Sequence, residues 1–264
     1  MKKIKFIVAV TLCVTILSSC LNIEEKIVIN NDNSGAYSLS IDMSKLLQSL
    51  AAMGQTADSA YKDKKIDSVI ALKGYIDTAK ELTPEEKALY RDAILAVKID
   101  MPDNIMKVKV SCPFANLTNL GIVKKNLFTV IGKLDVTKAA ENSLTQGSSG
   151  LPQGTDLGSA SKSGSPLAQY FTFLAAPGNI SYTINDKAAL TKELASDSLA
   201  QVKQMAMFMS DFSYNTTFVL PRAAKKFSGP GSSISDDKKT ITFKRNFNDL
   251  ISDNPEILEY KIDY

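Results

Sequence analysis

The stretch that decides the fold is LNIEEKIVINNDNSGAYSLSIDM, residues 21–43. Its first part, up to Ile29, predicts a strand, and its last part alternates apolar and polar residues from Tyr37 to Met43, the pattern of a half-buried strand. Between them, residues 31–35 accept positive φ or hydrogen-bond their own backbone, which predicts a turn. The turn superficially resembles a calcium-binding EF-hand loop, but Ile41 stands where the closing glutamate is required. The stretch therefore predicts a β-hairpin and no metal site.

The residues before the hairpin have the form of an export signal. Lys2, Lys3 and Lys5 are basic, and residues 6–17 form an apolar run interrupted by threonines. This run is shorter than the about 20 apolar residues that a membrane-spanning helix needs. The order and length of the two regions match a secretory signal peptide, so we predict that residues 1–19 are removed on export.

The four residues Leu17-Ser18-Ser19-Cys20 resemble the bacterial lipobox. This resemblance implies that the Cys20 thiol receives a diacylglycerol thioether, that a dedicated peptidase cuts before it, and that fatty acids such as palmitate anchor the chain. Two or three acyl chains on one cysteine make membrane attachment practically permanent. The alternative is an ordinary secretory signal with a chance cysteine.

The residue after the predicted lipidation site bears on which membrane holds the protein. Leu21 is not the aspartate that retains some lipoproteins at the inner membrane, which favours the outer membrane.

Charge excludes one class of partner for the exported protein. The chain has 31 Lys and Arg against 28 Asp and Glu, and loss of the three signal-peptide lysines leaves 28 of each. Nucleic-acid binding needs a basic surface that neutralises phosphates, and the balanced net charge gives it no support, so we expect no nucleic-acid partner. Glu24 and Glu25 resemble the acidic patch behind the cysteine of some surface-exported lipoproteins, although a solvated strand edge explains them equally well.

The residues that carry most enzyme chemistry are missing from the sequence. The chain contains no histidine, which excludes the Ser-His-Asp triad and most zinc centres, and it has no phosphate-binding glycine loop. Cys13 lies in the signal peptide and Cys20 is the predicted lipidation site, so Cys112 is the one free cysteine expected in the exported protein. We predict that Cys112 serves as a small buried apolar residue. We therefore expect no enzyme activity, catalytic residue, cofactor or metal. A hydrolase that uses paired carboxylates is the distant alternative.

Hydrophobic periodicity predicts alternating helices and hairpins after the first hairpin. One predicted helix begins at Ser44, a second covers about 66–79, and a third begins at Thr83-Pro84 with Leu89, Tyr90, Ala93, Ile94 and Val97 on its buried face. Further predicted helices cover about 116–134 and run from Asn185 or Asp186 to about Met209. The predicted strands cover about 97–101, 106–110, 170–174, 180–184, 212–220, 240–244 and 258–264. The fold class is thus α+β, an antiparallel sheet of hairpins packed against several helices. We expect the last strand to close the sheet.

One segment differs in composition from the rest. Residues 142–166 are rich in Gly and Ser and poor in aromatic residues, so they cannot bury enough apolar surface to order themselves. They could link two domains or form a disordered loop inside one. We favour the loop, and predict a single α+β envelope domain over residues 20–264.

The end of the chain resembles LppM-like envelope lipoprotein domains. The features that match are FVLP at residues 218–221, a Gly/Ser-rich interval, SDDKKTITF at residues 235–243 and a terminal strand. Phe243 stands where a tryptophan is expected. The resemblance implies an α+β body at the cell envelope with an apolar cavity for lipid or glycolipid, and it carries over no functional residue.

Two molecular functions follow as hypotheses. The first is a non-catalytic lipoprotein that binds or scaffolds an envelope protein, and the second is a lipid-binding module in which Met205, Met207 and Met209 line a cavity.

Four Asp-Ser/Thr-aliphatic triplets, which include Ser68 and Thr78, resemble an O-glycosylation signal of some bacteria. Helix surfaces rich in Asp and Ser explain these triplets as well.

Overall fold

The computed structural model describes residues 21–52, 62–134, 167–196 and 212–264. Its strands are β1 (Asn22–Ile29), β2 (Gly35–Asp42), β3 (Lys65–Ala71), β4 (Ile94–Asp100), β5 (Ile105–Phe114), β6 (Phe171–Ala176), β7 (Asn179–Ile184), β8 (Ser213–Val219), β9 (Lys226–Ser228), β10 (Ser232–Ile234), β11 (Thr240–Asn246) and β12 (Tyr260–Asp263). Its α-helices are α1 (Ser44–Ala52), α2 (Lys73–Thr78), α3 (Pro84–Tyr90), α4 (Leu117–Lys133), α5 (Lys187–Leu194) and α6 (Phe247–Leu250). Short 3-10 helices cover Ala168–Tyr170 and Pro255–Leu258.

The strands form two sheets. The larger sheet has eight strands in the order β10-β11-β8-β1-β2-β5-β4-β3, and the smaller has four in the order β6-β7-β12-β9. All neighbours are antiparallel except β1 and β8, which pair in parallel with Glu25 opposite Thr216. The predicted α+β class with an antiparallel sheet built from hairpins is confirmed.

The first hairpin is confirmed and lies in the middle of the larger sheet. Strands β1 and β2 pair from Asn22 opposite Asp42 to Ile29 opposite Gly35, and β8 and β5 extend the sheet on either side. One face of this sheet is covered by α4 over β2 and β5 and by the smaller sheet over β8 and β11. The main hydrophobic core lies between these layers. Among its members are Ile27, Leu120, Ile180, Phe218 and Ile262.

The start of α3 was predicted correctly. The hydroxyl of Thr83 accepts a hydrogen bond from the Glu86 amide, and the Glu86 carboxylate accepts one from the Thr83 amide, which is a capping box. The predicted helical face continued to Ile94 and Val97, but α3 ends at Tyr90. Ile94 begins β4 and points to the solvent-facing side of the sheet.

The predicted helix at about 66–79 is wrong in its first half. Residues Lys65–Ala71 form the edge strand β3, and only Lys73–Thr78 are helical. Ile66 and Ile70 point into the core, whereas Val69 is 73% exposed on the opposite face. These β-branched residues favour a strand, and backbone pairing with β4 reinforces that preference.

Two further predictions need correction. Asp186 caps α5 as expected, but α5 ends at Leu194 with Ala195 as its C-cap, so the predicted helix is interrupted there; residues 197–209 lie outside the described residues. The final strand does not close the larger sheet. Strand β12 lies inside the smaller sheet, between β7 and β9, because its inward residues Tyr260 and Ile262 complete the packing between the two sheets.

Candidate functional site

The charged residue on the buried face of β1 is Glu25. Glu24 is exposed and points to solvent, as a strand-edge residue would, but Glu25 is 1% exposed. An acidic patch made of both side chains is therefore wrong, as is a solvated edge for Glu25. The reason is that β1 has neighbours on both sides, so alternate side chains of this central strand must point into the protein.

The partner of Glu25 is a lysine from the long helix. Helix α4 begins after Asn116, whose side chain accepts a hydrogen bond from the Asn119 amide. The helix buries Leu120 and Leu127 against the sheet. Lys124, one turn from each of these residues, is 15% exposed and forms an ion pair with Glu25.

Hydroxyl groups complete the surroundings of the Glu25 carboxylate. Its Oε2 atom accepts a hydrogen bond from the Thr216 hydroxyl at 3.0 Å and from the Tyr214 hydroxyl at 3.2 Å, both on β8. Tyr37, on the neighbouring strand β2, faces the same carboxylate. The charge is thus surrounded by donors from strands on both sides of β1 and from α4.

Burial and partners oppose each other in setting the protonation of this site. Burial by itself would raise the pKa of Glu25, but the positive charge of Lys124 and hydrogen bonds from Lys124, Tyr37 and Thr216 outweigh it, so that the pKa lies below its ordinary value. Burial, together with the negative charge of Glu25, raises the pKa of Tyr37 and of Tyr214 well above its ordinary value. The carboxylate is therefore ionised and the tyrosines neutral near pH 7.

Aromatic rings fill the space next to the ion pair. Phe171, Tyr182, Tyr260 and Phe243 form a continuous series of stacked rings, with centroid distances of 4.8, 5.5 and 4.7 Å between successive members. Phe218 meets the Tyr260 ring edge-on at 5.5 Å. The Lys124 ammonium lies 5.7 Å from the Tyr182 ring centroid, which places the ion pair at the side of the stack. This stack joins the smaller sheet to the larger one.

The arrangement is better suited to holding α4 and β8 against β1 than to catalysis. A general acid needs a raised pKa, whereas the pKa of Glu25 is lowered, and the ion pair with Lys124 occupies its Oε1 atom. Glu25 is the one buried carboxylate in the described part of the chain, so it has no buried acidic partner there. Within the same residues, no group of three His, Cys, Asp or Glu side chains is placed to hold a metal ion.

The residues singled out in the sequence do not lie at this site. Cys20, the signal peptide at 1–19, the 142–166 segment and the Met205, Met207 and Met209 cluster fall outside the described residues. Cys112 is fully buried near the end of β5, as predicted, and burial raises the pKa of its thiol to about 12. Of the two triplet residues in described regions, the Thr78 hydroxyl donates to the Gly74 carbonyl and Ser68 lies on β3.

The Glu25–Lys124 pair was not predicted from the sequence, although the sequence does indicate that Glu25 is buried. Glu25 alternates in phase with Ile23, Ile27 and Ile29, and a carboxylate in register with three isoleucines is expected to face the same side as they do. No local pattern identifies Lys124 as its partner, because the two residues are 99 positions apart.

The described part of the chain contains no helix that is both long and apolar enough to cross a membrane. No protein-family model and no curated protein matches the chain. Among solved structures, it is similar to the NMR structure of the folded domain of LppM from Mycobacterium tuberculosis. The sequences are 8% identical, the alignment covers 94% of this chain and 91% of that one, and the TM-score is 0.35. The resemblance to LppM inferred from the sequence is thus present only as a weak similarity of fold.

Proposed function

We propose that this protein is a lipoprotein of the bacterial cell envelope, anchored by acyl chains on Cys20, whose folded body binds another envelope component. The observation that carries the proposal is the sequence LSSC at residues 17–20, which follows a basic segment and an apolar run of signal-peptide length. Strand β1 begins at Asn22, so one residue separates the lipidated cysteine from the folded body.

This short connection supports a specific orientation. Asn22 pairs with Asp42 on one side and Ser213 on the other, and Ser213 pairs with Asn246. These residues mark one end of the larger sheet, where α1 and α6 also begin. An anchor on Cys20 would hold this end against the bilayer and leave the opposite end, with the turn at residues 30–34, facing away.

A binding role is favoured over catalysis by the state of the buried carboxylate. Glu25 is ionised and held by Lys124, Tyr214 and Thr216, which is an arrangement that stabilises a fold rather than one that transfers a proton. The partner we propose is an envelope protein. The alternative with a lipid-filled apolar cavity stays a prediction, because its methionine cluster lies outside the described residues.

Replacement of each cysteine in turn tests the anchor. In cells labelled with radioactive palmitate, the Cys20→Ala variant is expected to lose the label and to keep its signal peptide, which gives it a larger polypeptide than the cleaved wild-type protein. The Cys13→Ala variant, changed within the signal peptide, serves as the matched control and should behave as wild type. Unchanged labelling of Cys20→Ala would refute the proposed anchor.

The outer-membrane location is part of the proposal and has its own test. Leu21 follows the lipidated cysteine, and an aspartate there is the inner-membrane retention signal of some Gram-negative systems. The Leu21→Asp variant should therefore move from the outer-membrane to the inner-membrane fraction of a density gradient, whereas Leu21→Asn should not. Wild-type protein in the inner-membrane fraction would contradict this location.

A further inference from the structure

The end of the larger sheet at which β1 begins carries apolar side chains that lie outside the core. The Leu21 carbonyl accepts a hydrogen bond from the Ser213 amide, so Leu21 is fixed beside β8. Phe212 lies directly before Ser213, and its ring meets the Phe247 ring edge-on with centroids 5.6 Å apart. Neither ring belongs to the two hydrophobic clusters of the described residues. The two rings therefore form a separate apolar contact at this end.

Further apolar residues lie at the same end of the sheet. Leu250 ends α6, and Leu46 lies in the first turn of α1. Ile105 begins β5, two residues before Lys107, which pairs with Asp42 at the end of β2. We call the following set the apolar rim; its members are half-buried, and none packs on either hydrophobic cluster of the described residues: Leu21, Leu46, Ile105, Phe247 and Leu250.

The apolar rim follows the ends of five successive strands. The order β11-β8-β1-β2-β5 is continuous in the larger sheet, with β1 in the middle. At about 4.8 Å between neighbouring strands, these ends span about 19 Å. Phe247 follows β11 on one side and Ile105 begins β5 on the other, so the rim extends to both sides of β1. It is therefore a surface that belongs to the sheet end as a whole.

The predicted lipidation site is next to the middle of this surface. Because Leu21 is fixed by its hydrogen bond to Ser213, and consecutive Cα atoms are about 3.8 Å apart, no spacer can separate Cys20 from the sheet end. A diacylglycerol on Cys20 would bring the glycerol level of the bilayer to the apolar rim. Leu, Ile and Phe side chains are favourably placed at that level, at the boundary between headgroups and acyl chains.

The charged groups around the rim are compatible with contact to headgroups. The Asp42 carboxylate forms an ion pair with Lys107 at 2.9 Å. Asp249 belongs to the capping box of α6, where its carboxylate accepts a hydrogen bond from the Asn246 amide. Lys45, beside Leu46 of the rim, is exposed and offers a positive charge to lipid phosphates.

We propose that the apolar rim is a lipid-facing surface that inserts into the headgroup region of the bilayer to which the protein is anchored. This inference rests on the proposed acylation of Cys20, which brings the bilayer to this end. Acyl chains on one residue limit the distance of the body from the membrane but leave it free to rotate. A rim that extends to both sides of β1 removes this freedom and holds the larger sheet in one orientation.

Single tryptophans can measure the insertion, because the chain contains none. Phe247→Trp places the probe on the rim, and Asn31→Trp, in the exposed turn at the other end of β1, is the matched control. The acylated variants are reconstituted into vesicles of phosphatidylcholine and phosphatidylglycerol, with or without bromine on the acyl chains. Brominated lipid should quench most of the fluorescence of Phe247→Trp and little of that of Asn31→Trp. Equal quenching of both variants, or quenching of neither, would overturn the proposal.

A charge on the rim gives a second test. Leu250→Asp, added to the Phe247→Trp variant, should reduce the quenching because a carboxylate resists insertion. Leu174→Asp is the matched control, since Leu174 is 58% exposed on β6, outside the rim. Should Phe247→Trp fail to fold, Leu250→Trp takes its place and Leu46→Asp supplies the charge. Equal quenching with and without the rim aspartate contradicts insertion.

The mass of each preparation separates this inference from the proposed anchor. An acylated Phe247→Trp variant that binds vesicles without being quenched refutes the lipid-facing rim and leaves the anchor intact. A mature protein whose mass shows no acyl chains refutes the anchor, and the inference that rests on it is then refuted as well. Acylation together with quenching confined to the rim supports both.

Discussion

Glu25 is the residue whose charge holds three parts of the molecule together. It lies on β1 in the middle of the larger sheet, its ion-pair partner Lys124 is on α4, and its hydroxyl donors Tyr214 and Thr216 come from β8. A buried ion pair contributes little net stability compared with an apolar pair of the same shape, but removal of one partner leaves the other charge uncompensated. The pair therefore favours one arrangement of α4 on the sheet over alternatives.

Replacement of Glu25 should be strongly destabilising. We expect Glu25→Gln to lower the free energy of unfolding by about 3 kcal/mol, near the lower end of the range for broken buried pairs because Lys124 keeps some contact with water. Urea denaturation followed by circular dichroism measures the change. Glu24→Gln, the exposed neighbour, is the matched control and should change stability by less than about 0.5 kcal/mol. Similar losses in both variants would contradict a special role for Glu25.

The lowered pKa of Glu25 makes part of the stability depend on pH. The ordinary pKa of this group is 4.5 and the folded value lies below it, so as pH falls the unfolded chain takes up the proton first. The stabilisation is complete above the unfolded pKa and is lost as pH falls through the folded pKa. The difference in unfolding free energy between wild type and Glu25→Gln should thus be constant from about pH 7 to 6 and shrink below about pH 4.5.

This comparison has an internal control. Asp42 and Asp100 also have lowered pKa values, because each carboxylate accepts hydrogen bonds and pairs with a lysine. Their contribution is the same in wild type and in Glu25→Gln and cancels in the difference. A difference that does not change down to about pH 3 would show that Glu25 does not titrate with folding.

At the scale of single elements, the sequence correctly predicts the helices and strands that are marked by a local signal, such as a turn or a helix cap. The turn residues at 31–35 and the Thr83-Pro84 start signal gave the first hairpin and the beginning of α3 correctly. Strand β3 was mistaken for a helix because Ile66 and Ile70 have the spacing of a helical turn as well as that of alternate strand positions. Pairing with β4 decides between the two, and that pairing is not visible in a local window.

Two glycines predict opposite outcomes for the same substitution. Gly35 begins β2, where an added Cβ would overlap the Val28 carbonyl oxygen and lie 2.5 Å from the Phe114 ring. Gly121 lies inside α4 with open space around the position of a Cβ. We expect Gly35→Ala to destabilise by about 1–3 kcal/mol through steric overlap, and Gly121→Ala to stabilise by about 0.5–1 kcal/mol through helix propensity.

Thermal or urea unfolding of the two alanine variants checks this pair of predictions. Because the substitution is identical, any general effect of an added methyl group is present in both. A stabilising effect at Gly35 would mean that the turn end of the first hairpin is packed less tightly than the close approach of Phe114 indicates.

At the scale of the whole molecule, the sequence indicated the class of fold but not how the strands are distributed. Periodicity identifies the buried face of a strand and says nothing about its neighbour, so neither the parallel pairing of β1 with β8 nor the existence of a second sheet was predicted. The Glu25 cluster was missed for the same reason. Its members come from β1, β2, α4 and β8, and only the long-range pairing brings them together.

The distribution of strands predicts that both sheets unfold together. Strands β8 and β11 belong to the larger sheet and β9 and β12 to the smaller, although all four come from the last part of the chain, residues 213–263. Because the chain alternates between the two sheets in this region, unfolding of one sheet pulls on strands that are joined by short connections to the other sheet. The aromatic stack adds direct contact between the sheets, since Tyr260 of β12 packs on Phe243 of β11. We therefore expect one cooperative transition.

Probes placed in different sheets can test this cooperativity. The chain has no tryptophan, so a single tryptophan in place of Tyr182, which stacks between Phe171 and Tyr260, gives a fluorescence probe placed in the smaller sheet. Alkylation of Cys112 reports on β5 in the larger sheet, because its thiol is buried and its pKa is raised to about 12, which suppresses reaction in the folded state. Both probes and far-ultraviolet circular dichroism should give the same urea midpoint. A lower midpoint for fluorescence than for Cys112 alkylation would mean that the smaller sheet detaches first, and that the stack does not couple the two layers.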